Sequence, residues 1–151
     1  MVATVVLILA AVLAYYSLKK PPEEAPRLEL ILPKTSYLPG ESITVEVWLD
    51  NRGGGERRYV LPSPQLFRLE VHNESGGLVA AYDTGEEPSP TELKVGAGER
   101  VRLGVFEWNQ TIRVEADGNS TWEQVPAGTY ALTAWLSGHF DIQAKREVKI
   151  A

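Results

Sequence analysis

From residue 27 onward, apolar and polar side chains alternate along the chain with a period of two. The alternation is clearest over residues 43–50, 67–72, 101–105, 130–136 and 140–150. It predicts β-strands with one buried and one solvated face, because successive side chains of a strand point to opposite sides. Glycine-containing turns separate the runs, and no segment after residue 18 keeps a helical period. The pattern therefore predicts seven to eight strands in two antiparallel sheets packed face to face, an all-β sandwich over residues 27–151.

The N-terminal segment, residues 1–20, has a different composition. Residues 2–18 contain no charged side chain and are rich in valine, leucine, isoleucine and alanine. As a helix they would rise roughly 26 Å at about 1.5 Å per residue, close to the bilayer hydrocarbon thickness of about 30 Å. We predict a transmembrane anchor or a cleaved signal helix here, with a buried core helix as the third alternative. The proline- and glutamate-rich residues 21–26 are then an extended linker.

Two features disagree about the side of the membrane on which the domain lies. Lys19 and Lys20 follow the apolar segment, and the positive-inside rule would place the domain after them in the cytoplasm. Three N-x-S/T sequons begin at Asn73, Asn109 and Asn119, and such sites mark surface loops of exported proteins. We give the sequons more weight. We therefore expect glycosylation at these asparagines and a protein that is membrane-anchored with its domain outside the cytoplasm, or secreted.

Composition excludes several classes of function. The net charge is −5 and basic residues cluster only as short pairs, at 57–58 and 145–146, so we predict no nucleic-acid partner. There is no cysteine, and His72 and His139 are the only histidines, which leaves little for nucleophilic catalysis or metal binding. Adjacent glutamates at 23–24 and 86–87 lie in proline-rich segments typical of solvated charge. We therefore predict no catalytic residue, no metal and no cofactor, and a protein that is not an enzyme.

Large aromatic side chains occupy positions that the alternation assigns to the solvated face. Trp48, Phe106, Trp108 and Trp135 share the parity of polar neighbours on their strands, and Trp122 falls in a loop-like insert. Because exposed aromatic residues are typical of protein-binding surfaces, these five residues are the predicted binding site. The alternatives are a loop folded over that face, or a bulge that reverses the parity near a strand end. The second alternative applies most to Trp108.

Two stretches resemble known sandwich domains. Residues 37–45 (YLPGESITV), followed by Asp50 and Asn51, resemble the opening of many extracellular immunoglobulin-like domains. Residues 106–109 (FEWN), a short insert and residues 125–130 (VPAGTY) resemble the intracellular proteinase inhibitor (BsuPI) domain, over roughly residues 28–136. The resemblance implies an immunoglobulin-like sandwich and a proteinase as the partner.

Two hypotheses of function follow. The first is a membrane-tethered, extracytoplasmic protein-binding module, similar to the BsuPI domain, that contacts the membrane through residues 2–18 and inhibits a proteinase. The second is a structural or assembly subunit of a cell-surface filament or envelope layer. Such a subunit would self-associate through its apolar N-terminus or by exchanging a strand between copies.

Overall fold

The structure is a computed structural model that describes residues 24–151. This part of the chain is all-β, with twelve strands and no helix. The strands are β1 (Arg27–Ile31), β2 (Ser36–Tyr37), β3 (Ile43–Asp50), β4 (Arg57–Leu61), β5 (Phe67–Asn73), β6 (Leu78–Tyr82), β7 (Thr91–Val95), β8 (Arg100–Trp108), β9 (Thr111–Ala116), β10 (Asn119–Gln124), β11 (Gly128–Leu136) and β12 (His139–Ile150). The predicted all-β class is confirmed. The predicted count of seven to eight strands is too low, because short strands such as β2 and β4 carry no long alternating run.

The apolar residues 2–18 lie outside the described residues, so the expected anchor or signal helix stays a prediction. Residues 24–26, the end of the expected linker, have no regular secondary structure. No segment of residues 24–151 forms a helix of the length and apolar character that crossing a bilayer requires.

The strands form two larger sheets and two separate strand pairs. One sheet has the order β1-β3-β8, and the other has the order β2-β12-β11-β5-β6. Strands β4 and β7 pair with each other, and β9 and β10 form a hairpin. The short strand β2 lies parallel to the end of β12, whereas pairs such as β3–β8 and β5–β11 are antiparallel. Strands β8 and β6 are consequently edges of their two sheets.

The inner faces of the two sheets share one hydrophobic core. Fully buried side chains alternate along the central strands, as the period of two predicts: Ile43, Val45, Val47 and Leu49 of β3, Leu69 and Val71 of β5, and Leu132, Ala134 and Leu136 of β11. Aromatic rings extend this core toward the β6 and β8 edges, where Phe67 stacks on Tyr82 and Tyr82 meets Phe106 edge-on. Burying one such side chain contributes about 1.5–3 kcal/mol, so the core fixes which face of each strand meets solvent.

A β-bulge in β8 reverses the alternation, and the predicted outward orientation of Phe106 and Trp108 is therefore wrong. Val47 pairs with Gly104 and the next residue, Trp48, pairs with Arg102, which leaves one extra residue on β8. Beyond the bulge the inward positions are Phe106 and Trp108, which are 6% and 3% exposed. A bulge shifts the parity by one, because two residues of one strand oppose one residue of the other.

Glycine at position 104 is required by close packing against the opposite sheet. A Cβ placed on Gly104 would lie 2.8 Å from Cε1 of Phe67, a distance that real side chains do not adopt. The change of parity in β8 therefore lies next to a close contact between the Gly104 backbone and the Phe67 ring.

Candidate binding cleft

A cleft of about 670 Å³ opens where the edges of the two sheets meet. Its walls are residues 78–81 of β6 on one side, and residues 111–113 of β9 with Trp122 of β10 on the other. Residues 106–109, at the end of β8, complete the lining. The cleft is thus bounded by one edge strand from each main sheet and by a hairpin that neither sheet includes.

The β9–β10 hairpin presents Trp122 to the cleft. Its turn residues Asp117 and Gly118 have φ values of 51° and 76°, the left-handed pair that a tight two-residue hairpin requires. Trp122 is paired with Arg113 and is 69% exposed. All six residues of β10 are exposed, so no part of this strand is held in place by burial in the core.

Beneath the hairpin, Trp108 is held rigidly. Its indole Nε1 donates a hydrogen bond to the backbone oxygen of Thr111 at 3.0 Å. Its ring meets that of Tyr130 edge-on, with 5.3 Å between the centroids. Together with the neighbouring Phe106, which also lines the cleft, this buried tryptophan gives the cleft a firm apolar floor.

Gln110 pins the base of the hairpin to the turn between β2 and β3. Its side chain is fully buried, and its Nε2 donates to the backbone oxygens of Leu38 and Glu41, each at 2.8 Å. Its Oε1 accepts hydrogen bonds from the backbone N–H of Gly40 at 2.9 Å and from Nε2 of Gln124 at 3.1 Å. The amide is therefore satisfied on both sides, as a buried polar group must be.

The opposite wall is the edge strand β6. A bulge at Val79 shifts its register against β5, since Val71 pairs with Ala80 and His72 pairs with Leu78. Leu78 is 54% exposed at the cleft. Apolar side chains therefore face solvent on both walls, Leu78 on β6 and Trp122 on β10.

The five predicted aromatic residues do not form one surface. Phe106, Trp108 and Trp122 meet at the cleft, the first two as its floor. Trp48 lies on the outer face of the β1-β3-β8 sheet, where the guanidinium of Arg100 covers its ring at 4.6 Å. Trp135 lies on the outer face of the other sheet and donates to Oε1 of Gln143 at 3.1 Å. Only Trp122 is both largely exposed and part of a concave site.

The three sequon asparagines differ in their surroundings. Asn109 and Asn119 are exposed at the two ends of the hairpin region, and Asn109 lines the cleft. Asn73 is half-buried, and its Oδ1 accepts hydrogen bonds from the backbone N–H of Gly77 and from the Ser75 hydroxyl, each at 2.8 Å. Glycosylation at all three stays a prediction, with Asn109 and Asn119 the better presented.

Titratable groups with shifted pKa values lie outside the cleft lining. Burial raises the pKa of the Tyr37, Tyr59 and Tyr130 phenols. The hydrogen bond from Lys34 lowers the pKa of Glu41.

The two histidines do not form a site together. His72 lies 3.5 Å from a carboxylate oxygen of Glu70, away from His139. Among residues 24–151, no group of three or more acidic or histidine side chains is arranged to hold a metal ion.

Sequence reasoning assigned neither the residues of β6 nor Gln110 to a site. Residues 78–82 (LVAAY) follow the Gly76–Gly77 turn as an unbroken apolar run, and such a run next to a turn is a signal for a strand. Nothing in the sequence marks Gln110, because its burial depends on a turn seventy residues away in the chain.

Comparisons with known proteins identify a family and several distant structures. A family of unknown function (DUF7974) matches residues 23–150, and no curated protein matches the chain. A β-glucosidase from Erythrobacter marinus is 14% identical, with a TM-score of 0.49, over 84% of this chain and 15% of its own. The DNA glycosylase AlkC from Pseudomonas fluorescens is 13% identical, with a TM-score of 0.49, over 83% of this chain and 30% of its own. A CARDB domain from Pyrococcus furiosus is 15% identical, with a TM-score of 0.44, over 86% of this chain and 90% of its own. The chain thus spans less than a third of the first two.

Proposed function

Because the chain belongs to this family of unknown function (DUF7974), we propose a function from its own geometry. The protein is a membrane-tethered, extracytoplasmic protein-binding module, and the cleft between β6 and the β9–β10 hairpin is its recognition site. It binds without catalysing a reaction.

The scaffold we propose is an immunoglobulin-like sandwich. The strand order of the two sheets, β1-β3-β8 and β2-β12-β11-β5-β6, supports this assignment. The start of the domain contributes one strand to each sheet, β1 to the first and β2 to the second. This arrangement is compatible with such a sandwich, whose two sheets enclose one core. Folds of this class carry many functions, so recognition must be argued from the site and not from the scaffold.

The observation that carries the proposal is the exposure of Trp122. A tryptophan that is 69% exposed, on a strand without a single buried residue, adds little to folding. At an interface such a side chain contributes a large contact area, and tryptophan is enriched among the residues that dominate binding energy. The concave, partly apolar surroundings of Trp122 are typical of a binding site.

Tethering and export rest on the sequence. The uncharged segment 2–18 supports an anchor, and the three sequons support a domain outside the cytoplasm. The BsuPI resemblance makes proteinases the first class of partner to test.

Site-specific photo-crosslinking in cells tests the proposal. A photoreactive phenylalanine analogue replaces Trp122 in the full chain, and Phe140, which is 63% exposed and does not line the cleft, provides the matched control position. We expect a discrete adduct with one protein from position 122 and none from position 140, in the membrane or extracytoplasmic fraction. Equal labelling at both positions, or adducts with cytoplasmic proteins only, would count against the proposal. Inhibition assays against a panel of proteinases then test that partner class.

Assembly of identical copies is the second candidate. The outer edge of β6, which pairs with no strand of residues 24–151, favours it, because an unpaired strand edge can pair with another chain. Light scattering of the full chain in detergent, compared with a chain lacking residues 1–20, separates the candidates. Regular oligomers of the full chain would favour assembly, and a monomer would favour the binding module.

A further inference from the structure

The sequon at Asn109 opens into the cleft. Asn109 directly follows β8, its side chain is exposed, and it lines the cleft. Thr111, the third residue of the sequon, lines the cleft as well. A glycan attached to Asn109 would therefore begin inside the cleft, beside the residues that we propose for recognition.

The exposed ring of Trp122 lies within reach of such a glycan. Trp122 pairs with Arg113, four residues after Asn109, and four residues of chain span at most about 14 Å. The face of an indole ring is electronegative and attracts the polarised C–H groups on one face of a sugar ring. The cleft volume of about 670 Å³ falls in the range of about 300–1,000 Å³ that is typical of small-molecule sites. The cleft can thus hold the first sugars of a glycan that the chain itself carries.

The charges of the cleft lining suit an uncharged occupant. Glu107 and Arg113 are its charged side chains, and their charges are equal and opposite. Arg113 is also held by Glu115, 3.0 Å from its Nη2, and by the Ser120 hydroxyl. A neutral sugar has apolar C–H faces and hydrogen-bonding hydroxyl groups. It therefore matches a site that combines an indole ring and apolar strand residues with a few polar side chains.

The sequon at Asn119, on the same hairpin, does not open into the cleft. Asn119 and Trp122 are three residues apart on β10, which pairs with β9 without a bulge, so their side chains point to opposite faces. Asn119 is exposed and does not line the cleft. A glycan there would leave Trp122 uncovered, and the two sequons of the hairpin region are therefore a matched pair.

Glycosylation of Asn109 requires a lipid-linked sugar phosphate as the donor. A bond forms between Nδ2 of Asn109 and the anomeric carbon of the first sugar, and Nδ2 loses one proton. The bond from that carbon to the phosphate oxygen breaks, and its electron pair leaves with the phosphate. Gln110, the middle residue of the sequon, is fully buried and hydrogen-bonded in the folded protein, so the transfer must precede folding. Folding then fixes two forms of the protein, one with the glycan and one without it.

We propose that a glycan on Asn109 packs over Trp122 and closes the cleft, and that the chain without this glycan is the form that binds the partner. The inference rests on the proposed function and names the regulation of the same site. Sugar and partner compete for the same indole face, so the apparent affinity for the partner falls with the fraction of chains whose cleft is open.

Mass spectrometry of the full chain isolated from its own cells tests whether the glycan covers Trp122. Peptide mapping gives the occupancy of Asn109, and hydroxyl-radical footprinting of the intact chain in detergent gives the reactivity of Trp122. We expect a glycan at Asn109, and a Trp122 reactivity that is lower by about threefold or more than in Asn109→Gln. Trp135, on an outer face away from the cleft, is the internal reference.

Two further variants separate the glycan from the side chain that carries it. Thr111→Ala destroys the sequon and keeps Asn109, so it should expose Trp122 as Asn109→Gln does. Asn119→Gln, the matched control, removes the neighbouring sequon and should leave Trp122 protected.

Crosslinking in cells tests whether the glycan regulates binding. With the photoreactive analogue at position 122, Asn109→Gln should raise the yield of the partner adduct by about fivefold or more. Asn119→Gln should leave that yield unchanged.

Several results would overturn the inference. An unmodified Asn109 in the isolated protein is one, and an equal effect of the two asparagine variants on Trp122 reactivity is another. Equal adduct yields from the parent chain and from Asn109→Gln would also contradict it, while the proposed function would stand. If Trp122 is protected but no variant gives a protein adduct, the glycan alone occupies the cleft. The proposed function then fails, and the regulation of binding fails with it.

Discussion

Trp108 and Trp122 border the same cleft, and the fold uses them in opposite ways. Trp108 is almost fully buried, packs against Tyr130 and donates a hydrogen bond to Thr111. Trp122 lies largely in solvent on a strand whose six residues are all exposed. One tryptophan belongs to the core that the two sheets share, and the other stands on a hairpin outside both sheets.

The difference separates stability from recognition within one site. Side chains of the floor cannot be changed without loss of packing, because protein interiors are close-packed. An exposed side chain on β10 can be changed at little cost to folding. The same cleft therefore has a part that specifies the fold and a part free to specify a partner.

Replacement of the buried tryptophan should have the largest effect. Trp108→Ala removes a large packed ring and its hydrogen bond, and we expect a loss of about 3–5 kcal/mol in the free energy of unfolding. Denaturant unfolding of the full chain followed by circular dichroism measures it. Trp48→Ala is the matched control, since Trp48 lies on an outer face beneath Arg100, and it should cost only about 1 kcal/mol. Similar losses for the two variants would contradict the assignment of Trp108 to the core.

Replacement of Gln110, whose side-chain amide holds the base of the hairpin, should have the second largest effect on the free energy of unfolding. Gln110→Leu keeps the approximate volume and removes the hydrogen bonds of Gln110 to the Glu41 backbone oxygen and the Gly40 backbone N–H. The Leu38 backbone oxygen loses one of its two donors and keeps the backbone N–H of Glu41. We expect a loss of about 2–4 kcal/mol, because unsatisfied buried polar groups are costly. Gln124→Ala, which removes one hydrogen bond to the same amide, should lose about 1 kcal/mol. If Gln110→Leu leaves the free energy of unfolding in urea unchanged, the Gln110 side chain does not hold the hairpin in place.

Gly104 follows the extra residue of the β8 bulge and packs closely against Phe67. Gly104→Ala forces a methyl group against the Phe67 ring, and overpacking of this kind costs about 1–3 kcal/mol. Gly54→Ala is the control, because a Cβ there meets nothing within 4 Å and should change stability by no more than about 0.5 kcal/mol. Thermal unfolding of both variants checks the difference. Equal melting temperatures would mean that the core yields at this position.

The alternation of residues predicted the core of β3, β5 and β11 correctly, since long strands with one wet face leave a clear periodic pattern. It failed at Phe106 and Trp108, because a single extra residue in β8 reverses the parity. Gly104 inside the strand is a signal for a bulge, but the alternation alone does not show on which side of it the parity changes. Trp122 was predicted as a binding residue and is exposed at the cleft, although its function stays a proposal. The cleft itself was beyond prediction, because it depends on how the edges of two sheets and a hairpin meet.

Ionisation of the buried tyrosines should have a smaller effect, confined to alkaline pH. Burial raises the pKa of Tyr37, Tyr59 and Tyr130, so the folded state keeps their protons where the unfolded chain releases them. Stability is then fully present below the unfolded pKa of about 10 and falls as the pH rises above it. Absorbance of tyrosinate in Tyr37→Phe, Tyr59→Phe and Tyr130→Phe variants should show that each lost phenol ionises above the ordinary pKa of about 10. Loss of signal from around pH 10 itself in the native variants would disprove this expectation.

The smallest effect on stability is expected for the exposed tryptophan. Trp122→Ala should change the free energy of unfolding by no more than about 0.5 kcal/mol, since the side chain is 69% exposed and surface substitutions are usually near neutral. Denaturant unfolding under the conditions used for Trp108→Ala measures it, and Trp122→Phe, which keeps an aromatic ring, serves as the control. A loss of 2 kcal/mol or more, roughly the value of a buried side chain, would mean that Trp122 closes over the cleft as part of the core. The contrast between the two tryptophans would then disappear, and with it the reason to assign recognition to the hairpin.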